Sequence, residues 1–483
     1  MDGAPRIDAD VAVVGAGAAG LFAAITAARS GARVVLVSAT PLARTASYWA
    51  QGGLAAALAA DDSPELHLAD TERAGRGLVR RSAAALLVRE APGRVAELEA
   101  LGVRFDADRH GNLALGLEGG HSRRRVVHAG GSATGRRVVR QLSAVVAGER
   151  RVTVLEGARA AALWKREGRC VGVVCEDGRA IRARGTILAT GGAAALWART
   201  TNPPGSLGIG LLLARGAGAA LADLEMVQFH PTAVIGVEGR EGFLVTEAIR
   251  GEGATLVDAA GERFVDELAP RDEVSRAIWS RMADDGQPCV QLDMRDVDPV
   301  RFPNVVEALR DAGLDPATET IPVAPAAHYV MGGIVADLDG ASTVPGLYAV
   351  GESACTGLHG ANRLASNSLS ECFVLGGRAA QAALNEPHAA AAGEPPAAAP
   401  VATPARSTQE ALWRDAGLVR DAEGLRALLA DPHPLARLIA ACGLLREESR
   451  GAHMRSDFPE TDPVLDLRHA VVRDGEPEFE PWA

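Results

Sequence analysis

The chain has 483 residues, 47% of them hydrophobic and 23% charged, enough for a large core shared by two or three domains. Its formal net charge of -11 speaks against a nucleic-acid partner and leaves an anionic small molecule without help from the overall field. Six scattered cysteines (Cys170, Cys175, Cys289, Cys355, Cys372 and Cys442) form no CxxC pair, so the expectation is reduced thiols in a cytoplasmic protein with no metal site.

Residues 10–14 read as a buried strand that runs into Gly15-Ala16-Gly17-Ala18-Ala19-Gly20. An Ala-rich helix over about 21–29 follows, Gly31 stops it, and residues 33–37 form the next strand. In that βαβ setting the glycines have separate tasks. Gly15 permits the tight turn, Gly17 lets the backbone approach a pyrophosphate, and Gly20 permits close helix packing. The helix N-terminus then offers free N–H groups and a positive dipole end to the phosphates. The acidic residue that would hold a ribose hydroxyl at the end of the second strand is replaced by Ser38, a weaker partner. The glycine pattern alone does not separate FAD from NAD.

Three aspartates in the first ten residues and glycine breaks in the next apolar run argue against a signal peptide. No unbroken apolar stretch reaches the roughly 18 residues that suggest a membrane span. Residues 70–101 have helical periodicity, and 152–188 alternate in short strands that end at Thr190-Gly191-Gly192 and suggest a return to the first sheet. From 230 to 325 the texture changes to more charge and more loops, as in an inserted domain. The strand 346–350, ending at Gly351-Glu352, resumes the first domain. The Ala/Pro-rich stretch 386–407 is a linker by composition, and 409–445 has helical period.

Several segments together carry a family resemblance. Ala46-Ser47-Tyr48-Trp49-Ala50-Gln51-Gly52-Gly53 resembles the AQGG loop of the succinate dehydrogenase and fumarate reductase flavoproteins, a group that includes the L-aspartate oxidases. QFHPT (228–232), TEAIRGEGA (246–254), LAPRD (268–272), AHYVMGG (327–333) and TGLHGANRLASNSL (356–369) fit the same group. The resemblance implies an α/β fold: a Rossmann-like FAD-binding domain in two parts (1–229 and 326–385), an inserted α+β capping domain (230–325), the linker and a C-terminal helical bundle (408–483). It implies FAD contacts from the residues 15–20 just named, from Ser38, from the loop 46–53, and from Glu352, Ser368 and Leu369. Ala46 stands where the membrane-associated members carry the histidine that bonds covalently to the flavin, so FAD is expected to be non-covalent. The segment 448–457 is similar to the family and is expected to pack the bundle on the flavin domain.

A dicarboxylate needs several cationic or donor groups aimed at one cavity, and the planar guanidinium fork suits a carboxylate. The resemblance places His230, Thr246, Arg271, His328 and Arg363 there. His230, His328 and Arg363 would hold carboxylates, Thr246 would donate to one, and Arg271 would move a proton or stabilise developing charge. Arg44, Arg123, Arg124 and Arg125 read as solvated charges. The branch is set by EGGHS (118–122), where the dehydrogenases carry Phe in place of Glu118, by ASNSL (365–369), where they read Gly-Ala, and by Pro270 in place of Ser. A carboxylate at Glu118 suits the ammonium of L-aspartate, which succinate lacks.

L-aspartate oxidation is therefore the expected activity, with oxygen or fumarate as acceptor and hand-over of iminoaspartate to quinolinate synthase in NAD biosynthesis. A soluble fumarate reductase or a succinate dehydrogenase subunit is the alternative. A non-catalytic flavoprotein would lack the cationic set, and an iron–sulfur assembly would need a partner, because this chain has no cysteine spacing for clusters.

One departure from the family carries its own test. Gly208-Ile209-Gly210 replaces the usual Gly-Asp-Gly, and isoleucine accepts no hydrogen bond from the flavin's polar chain. FAD retention should be weaker by ~1–2 kcal/mol, the scale of one hydrogen bond. Flavin content measured through repeated dilution should fall; full occupancy throughout would contradict this.

Overall fold

The computed structural model describes residues 6–42, 45–387 and 393–482. The N-terminal unit comprises β1 (Val11–Val14), α1 (Ala18–Arg29) and β2 (Val34–Ser38). Val11 and Val13 enter one core cluster while Ala12 and Val14 enter another. The strand is thus buried on both faces, which is why it reads as an unbroken apolar run. Further along, α2 (Thr134–Gly148) leads to β3 (Val152–Glu156), and β4 (Gly185–Leu188) returns to the centre of the sheet. Leu347–Ala349 supplies the fifth strand from beyond the insertion, and all pairings are parallel.

Only the first and last strands of the 152–188 region join this sheet. Ala160–Arg166, Arg169–Cys175 and Ala180–Arg182 form a second one with Arg6–Asp8. The reason is antiparallel pairing through short turns, which folds the region back on itself before it can cross over.

The insertion holds β5 (Val227–Val234), α3 (Glu247–Gly251), β6 (Thr255–Val257), α4 (Arg271–Asp285), β7 (Val290–Asp293) and β8 (Ile321–Val330). Its antiparallel sheet has the order β5-β8-β7-β6, and Ile249, Leu256, Ile278 and Leu292 belong to its own core. The long strands β5 and β8 run from the flavin-binding domain into the cap, crossing positions 230 and 325.

After the insertion come β9 (Leu347–Ala349) and α5 (Asn367–Leu384). Helix α1 is apolar on every side and packs against α5. The Phe22 and Phe373 rings meet edge-on at 5.4 Å, and a Cβ on Gly376 would lie 2.9 Å from the Ala19 carbonyl oxygen.

The predicted linker includes residues 388–392, outside the described residues. Helices α6 (Arg406–Asp415), α7 (Ala422–Leu428) and α8 (Pro434–Leu445) follow. The C-terminal part is not wholly helical: β10 (Arg468–Val472) and β11 (Glu478–Pro481) pair with each other, and β10 adds to Leu221–Ala222. Its apolar His469-Ala470-Val471-Val472 run is sheet core rather than a bundle face. The segment 448–457 sits at the seam, where Arg450 reaches the Arg76 carbonyl and Ala452 N–H donates to Ala361. Among the described residues no helix is long and apolar enough to cross a membrane.

The glycine turn is geometrically exacting. Gly15 has φ +110°, and a Cβ there would lie 2.1 Å from the Ala189 carbonyl oxygen. Gly15→Ala should therefore abolish flavin retention, read as loss of visible flavin absorbance. A variant that keeps its colour would contradict the close approach.

Candidate active site

The β1–α1 turn presents the helix N-terminus with no side chain of its own as cap; Ala18 N–H donates to Ser47 Oγ at 3.1 Å. The 3-10 turn Ala46–Trp49 lies against α2, where Gly135 leaves no room for a Cβ beside the Ser47 carbonyl. Gln51 donates to the Leu244 carbonyl at 2.7 Å, yet its Oε1 and the hydroxyl of Thr45 are buried without partners. Glu352 accepts from Val330 N–H at 3.0 Å, and burial pushes its carboxyl up to about 7. A glycine cradle, a helix end whose own cap residue is a glycine, and orphaned polar atoms in the adjoining loop fit a bound dinucleotide. Ala46 offers no nucleophile for a covalent link.

Ser38 is buried and donates its hydroxyl to the Thr40 carbonyl at 2.5 Å, so only its lone pairs remain for a ribose. Ile209 begins the helix Ile209–Gly216 and packs against the core. Trp49 is 57% exposed and meets Tyr48 edge-on.

Where cap and flavin domain meet, buried charge accumulates. Arg271, the first residue of α4, donates through Nε to Glu247 Oε2 at 2.6 Å and through a terminal nitrogen to Gln228 Oε1 at 3.0 Å. Glu247, the first residue of α3, also accepts from Gly119 N–H at 2.8 Å and lies 3.6 Å from Arg250. Gln228 on β5 in turn donates to Asn362 Oδ1 and to the Arg363 carbonyl.

Arg363 donates to Ser368 Oγ at 2.9 Å and lies over the Tyr329 ring at 4.5 Å, while its Nε is buried without a partner. Burial and the nearby Arg271 bring its guanidinium down to about 10. The Tyr329 hydroxyl is 3.3 Å from both His359 and Glu371, which fixes the ring that Arg363 stacks on.

His230 and His328 face each other edge-on at 5.0 Å. Thr201 holds His328 Nδ1 at 2.7 Å, and Thr232 N–H donates to His230 Nδ1 at 3.2 Å. Burial, then the charge of Arg271, hold both rings well below the ordinary histidine range, so both are neutral at pH 7. Thr246 is buried at the N-terminal end of α3 and spends no side-chain hydrogen bond on capping it.

Glu118 approaches from the flavin side. Its Oε2 accepts from Ser366 Oγ at 2.6 Å, and His128 Nε2 lies 3.3 Å from Oε1. The Ser366 hydroxyl also accepts from Gly53 N–H at 3.1 Å, tying Glu118 to the AQGG loop. Burial opposes ionisation, but His128, Ser366 and Arg271 outweigh it and bring the carboxyl to about 2. The two branch-marking segments of the sequence, 118–122 and 365–369, are therefore hydrogen-bond partners.

The structure thus gathers Arg271, His230, His328, Arg363 and Thr246 at one junction, with Glu118 beside the loop that adjoins it. Residues that hold them were not singled out from sequence: Glu247 and Gln228 hold Arg271, and Asn362, which donates to Asp272 at 3.0 Å, holds Gln228. Each stands next to or near a predicted residue in the same motif, and that adjacency was the available signal. One expectation is corrected. Arg123 and Arg124 are half-exposed, but Arg125 is fully buried and bonded to Asp62 and Asp70 at 2.6–2.9 Å. A run of three arginines gives no cue that the third turns inward. Arg44 lies outside the described residues.

A split parallel dinucleotide fold with an antiparallel cap over a cationic cluster defines an FAD-binding flavoprotein. The model of the FAD binding domain matches residues 10–369, and that of the fumarate reductase flavoprotein C-terminus matches 428–481. A solved E. coli quinol fumarate reductase chain is 30% identical, covers 99% of this chain and 96% of its own, and superposes with a TM-score of 0.88. An L-aspartate oxidase of Caulobacter vibrioides is 46% identical over 96% of each chain, and one of Streptomyces coelicolor 42% identical over 97% of this chain and 92% of its own. The chain belongs to the L-aspartate oxidase family.

The buried histidines set an acid limit. His67, His121, His230, His328 and His453 all bind protons less readily folded than at their ordinary pKa of 6.5, His67 down to about 3. Below pH 6.5 the unfolded chain takes up protons that the folded one refuses, so stability falls as pH falls, by up to about 1.4 kcal/mol per histidine per pH unit. Glu352 and Glu225 are shifted upward and oppose this, but they are outnumbered. The urea midpoint should drop between pH 7 and pH 5, above the ordinary carboxylate range; a midpoint constant over that window would contradict the assignment.

Proposed function

We propose that this protein oxidises L-aspartate to iminoaspartate, with oxygen or fumarate as acceptor. The observation that carries the reading is the Glu118–Ser366 pair against Gly53, which sets an ionised carboxylate beside the flavin loop. L-aspartate has two carboxylates and one ammonium. Arg363, His328 and His230 hold the carboxylates, Thr246 donates to one of them, and Glu118 receives the ammonium. FAD, when bound, accepts the hydride.

The protein's part is to align the substrate carbon, exclude water under the cap, and stabilise the charge that develops as the proton leaves. Arg271 faces that charge. Its bonds to Glu247 and Gln228 fix the guanidinium in one orientation, which favours charge stabilisation over proton shuttling. This oxidation would be the first step of de novo NAD biosynthesis, with iminoaspartate then passed to quinolinate synthase.

The test is to mix FAD-loaded protein with L-aspartate in the absence of oxygen and follow flavin absorbance, with succinate in parallel. Bleaching by L-aspartate, reversed by air with release of peroxide, is expected. Bleaching by succinate alone would move the protein to the fumarate reductase and succinate dehydrogenase branch. Glu118→Gln should raise KM for L-aspartate roughly tenfold or more, the scale of one hydrogen bond to a charged group. Its inhibition constant for succinate should change little. An equal loss for both ligands would remove the ammonium from Glu118.

A further inference from the structure

A cavity of about 970 Å³ lies between α2, the loop 102–117 and the cap residues 300–304. It is separate from the glycine cradle and far larger than a four-carbon acid requires. Five arginines line it: Arg104, Arg136, Arg137, Arg140 and Arg301. Among the described residues only Arg301 of these five has a carboxylate partner, Glu252, which also faces Arg124 at 3.8 Å. Arg140 reaches the Tyr48 hydroxyl, and Arg136 lies 5.7 Å from the centre of that ring. The other lining carboxylate, Asp106, is occupied by the backbone N–H groups of Gly130 and Gly131. The cavity wall is thus cationic in a chain whose formal net charge is -11.

It adjoins the candidate active site. Leu117 and His128 line it, and they flank Glu118 in sequence and in space, His128 at 3.3 Å. Ala248 lines it too, next to the Glu247 that holds Arg271.

We infer that this cavity is an anion vestibule, which collects dicarboxylates from solution and delivers them past His128 to the site under the cap. The inference rests on the reading of the protein as a dicarboxylate oxidoreductase. A local cationic field answers the problem set by the overall charge: it raises the local concentration of an anion that the rest of the surface repels. Its contribution is to encounter, so it acts on kcat/KM and is screened by salt.

The test uses the FAD-loaded full-length protein. Arg137→Glu/Arg140→Glu is compared with Arg159→Glu/Arg426→Glu, which makes the same change in net charge away from the cavity. At low ionic strength the first pair should lower kcat/KM for L-aspartate about tenfold, with the loss in KM rather than kcat, and should flatten its dependence on salt. The control pair should do neither. Succinate, with one more negative charge than L-aspartate, should show the steeper salt dependence of its inhibition constant in the wild type. Turnover of L-aspartate in the wild type with equal salt dependence in all three proteins would overturn the vestibule alone. No turnover of L-aspartate by the wild type would overturn the reading it rests on as well.

Discussion

Arg363 is buried at the junction of cap and flavin domain without an ion-pair partner among the described residues, and the surroundings are arranged around that charge. A buried guanidinium left unpaired is costly, and a protein that keeps one has a use for it. Tyr329 supplies a ring face, Ser368 one acceptor, and Glu352 a more distant carboxylate, but Nε has nothing. Arg271, by contrast, is pinned by Glu247 and Gln228. The junction therefore combines a fixed cation with a second cation whose pairing is incomplete, and under the proposed function a substrate carboxylate completes it.

The fold explains how residues far apart in sequence reach that point. Strands β5 and β8 pass from the flavin domain into the cap and carry His230 and His328 on neighbouring strands, His230 opposite Ala326. Helices α3 and α4 each begin at the junction, so Glu247 and Arg271 sit in first turns whose direction the cap core fixes. The start of α5 is the flavin-domain counterpart: Ser366, at φ +62°, turns the chain so that one hydroxyl meets both Gly53 N–H and Glu118. Each domain contributes half of the constellation, and relative movement of the two would separate Arg271 from Gln228 and Arg363.

The glycine turn and the parallel strands were legible because backbone clash and two-sided burial leave few residue choices. The cap was legible as a change of texture, but not the sheet edges at 227 and 330, because a strand shared by two domains has no boundary in composition. The cationic residues were legible through their motifs. Glu247 and Gln228 were not, since their task arises only from pairing with Arg271 across the fold. Arg125 was misread for the same reason: its partners Asp62 and Asp70 lie more than fifty residues away. The strands of the C-terminal part were not legible because β10 takes its place in a sheet only by pairing with Leu221–Ala222, far earlier in the chain, and β11 pairs, among the described residues, only with β10.

The central claim is that a dianion completes the buried charge at the junction. It is tested by measuring the thermal midpoint of the FAD-loaded protein with succinate and with propionate at matched ionic strength, in the wild type and in Arg363→Leu. A ligand that binds only the folded state raises the midpoint by mass action. The account predicts a rise with succinate, little or none with propionate, and loss of the succinate effect in Arg363→Leu. An equal rise with both acids, or a succinate effect that survives the substitution, would contradict it.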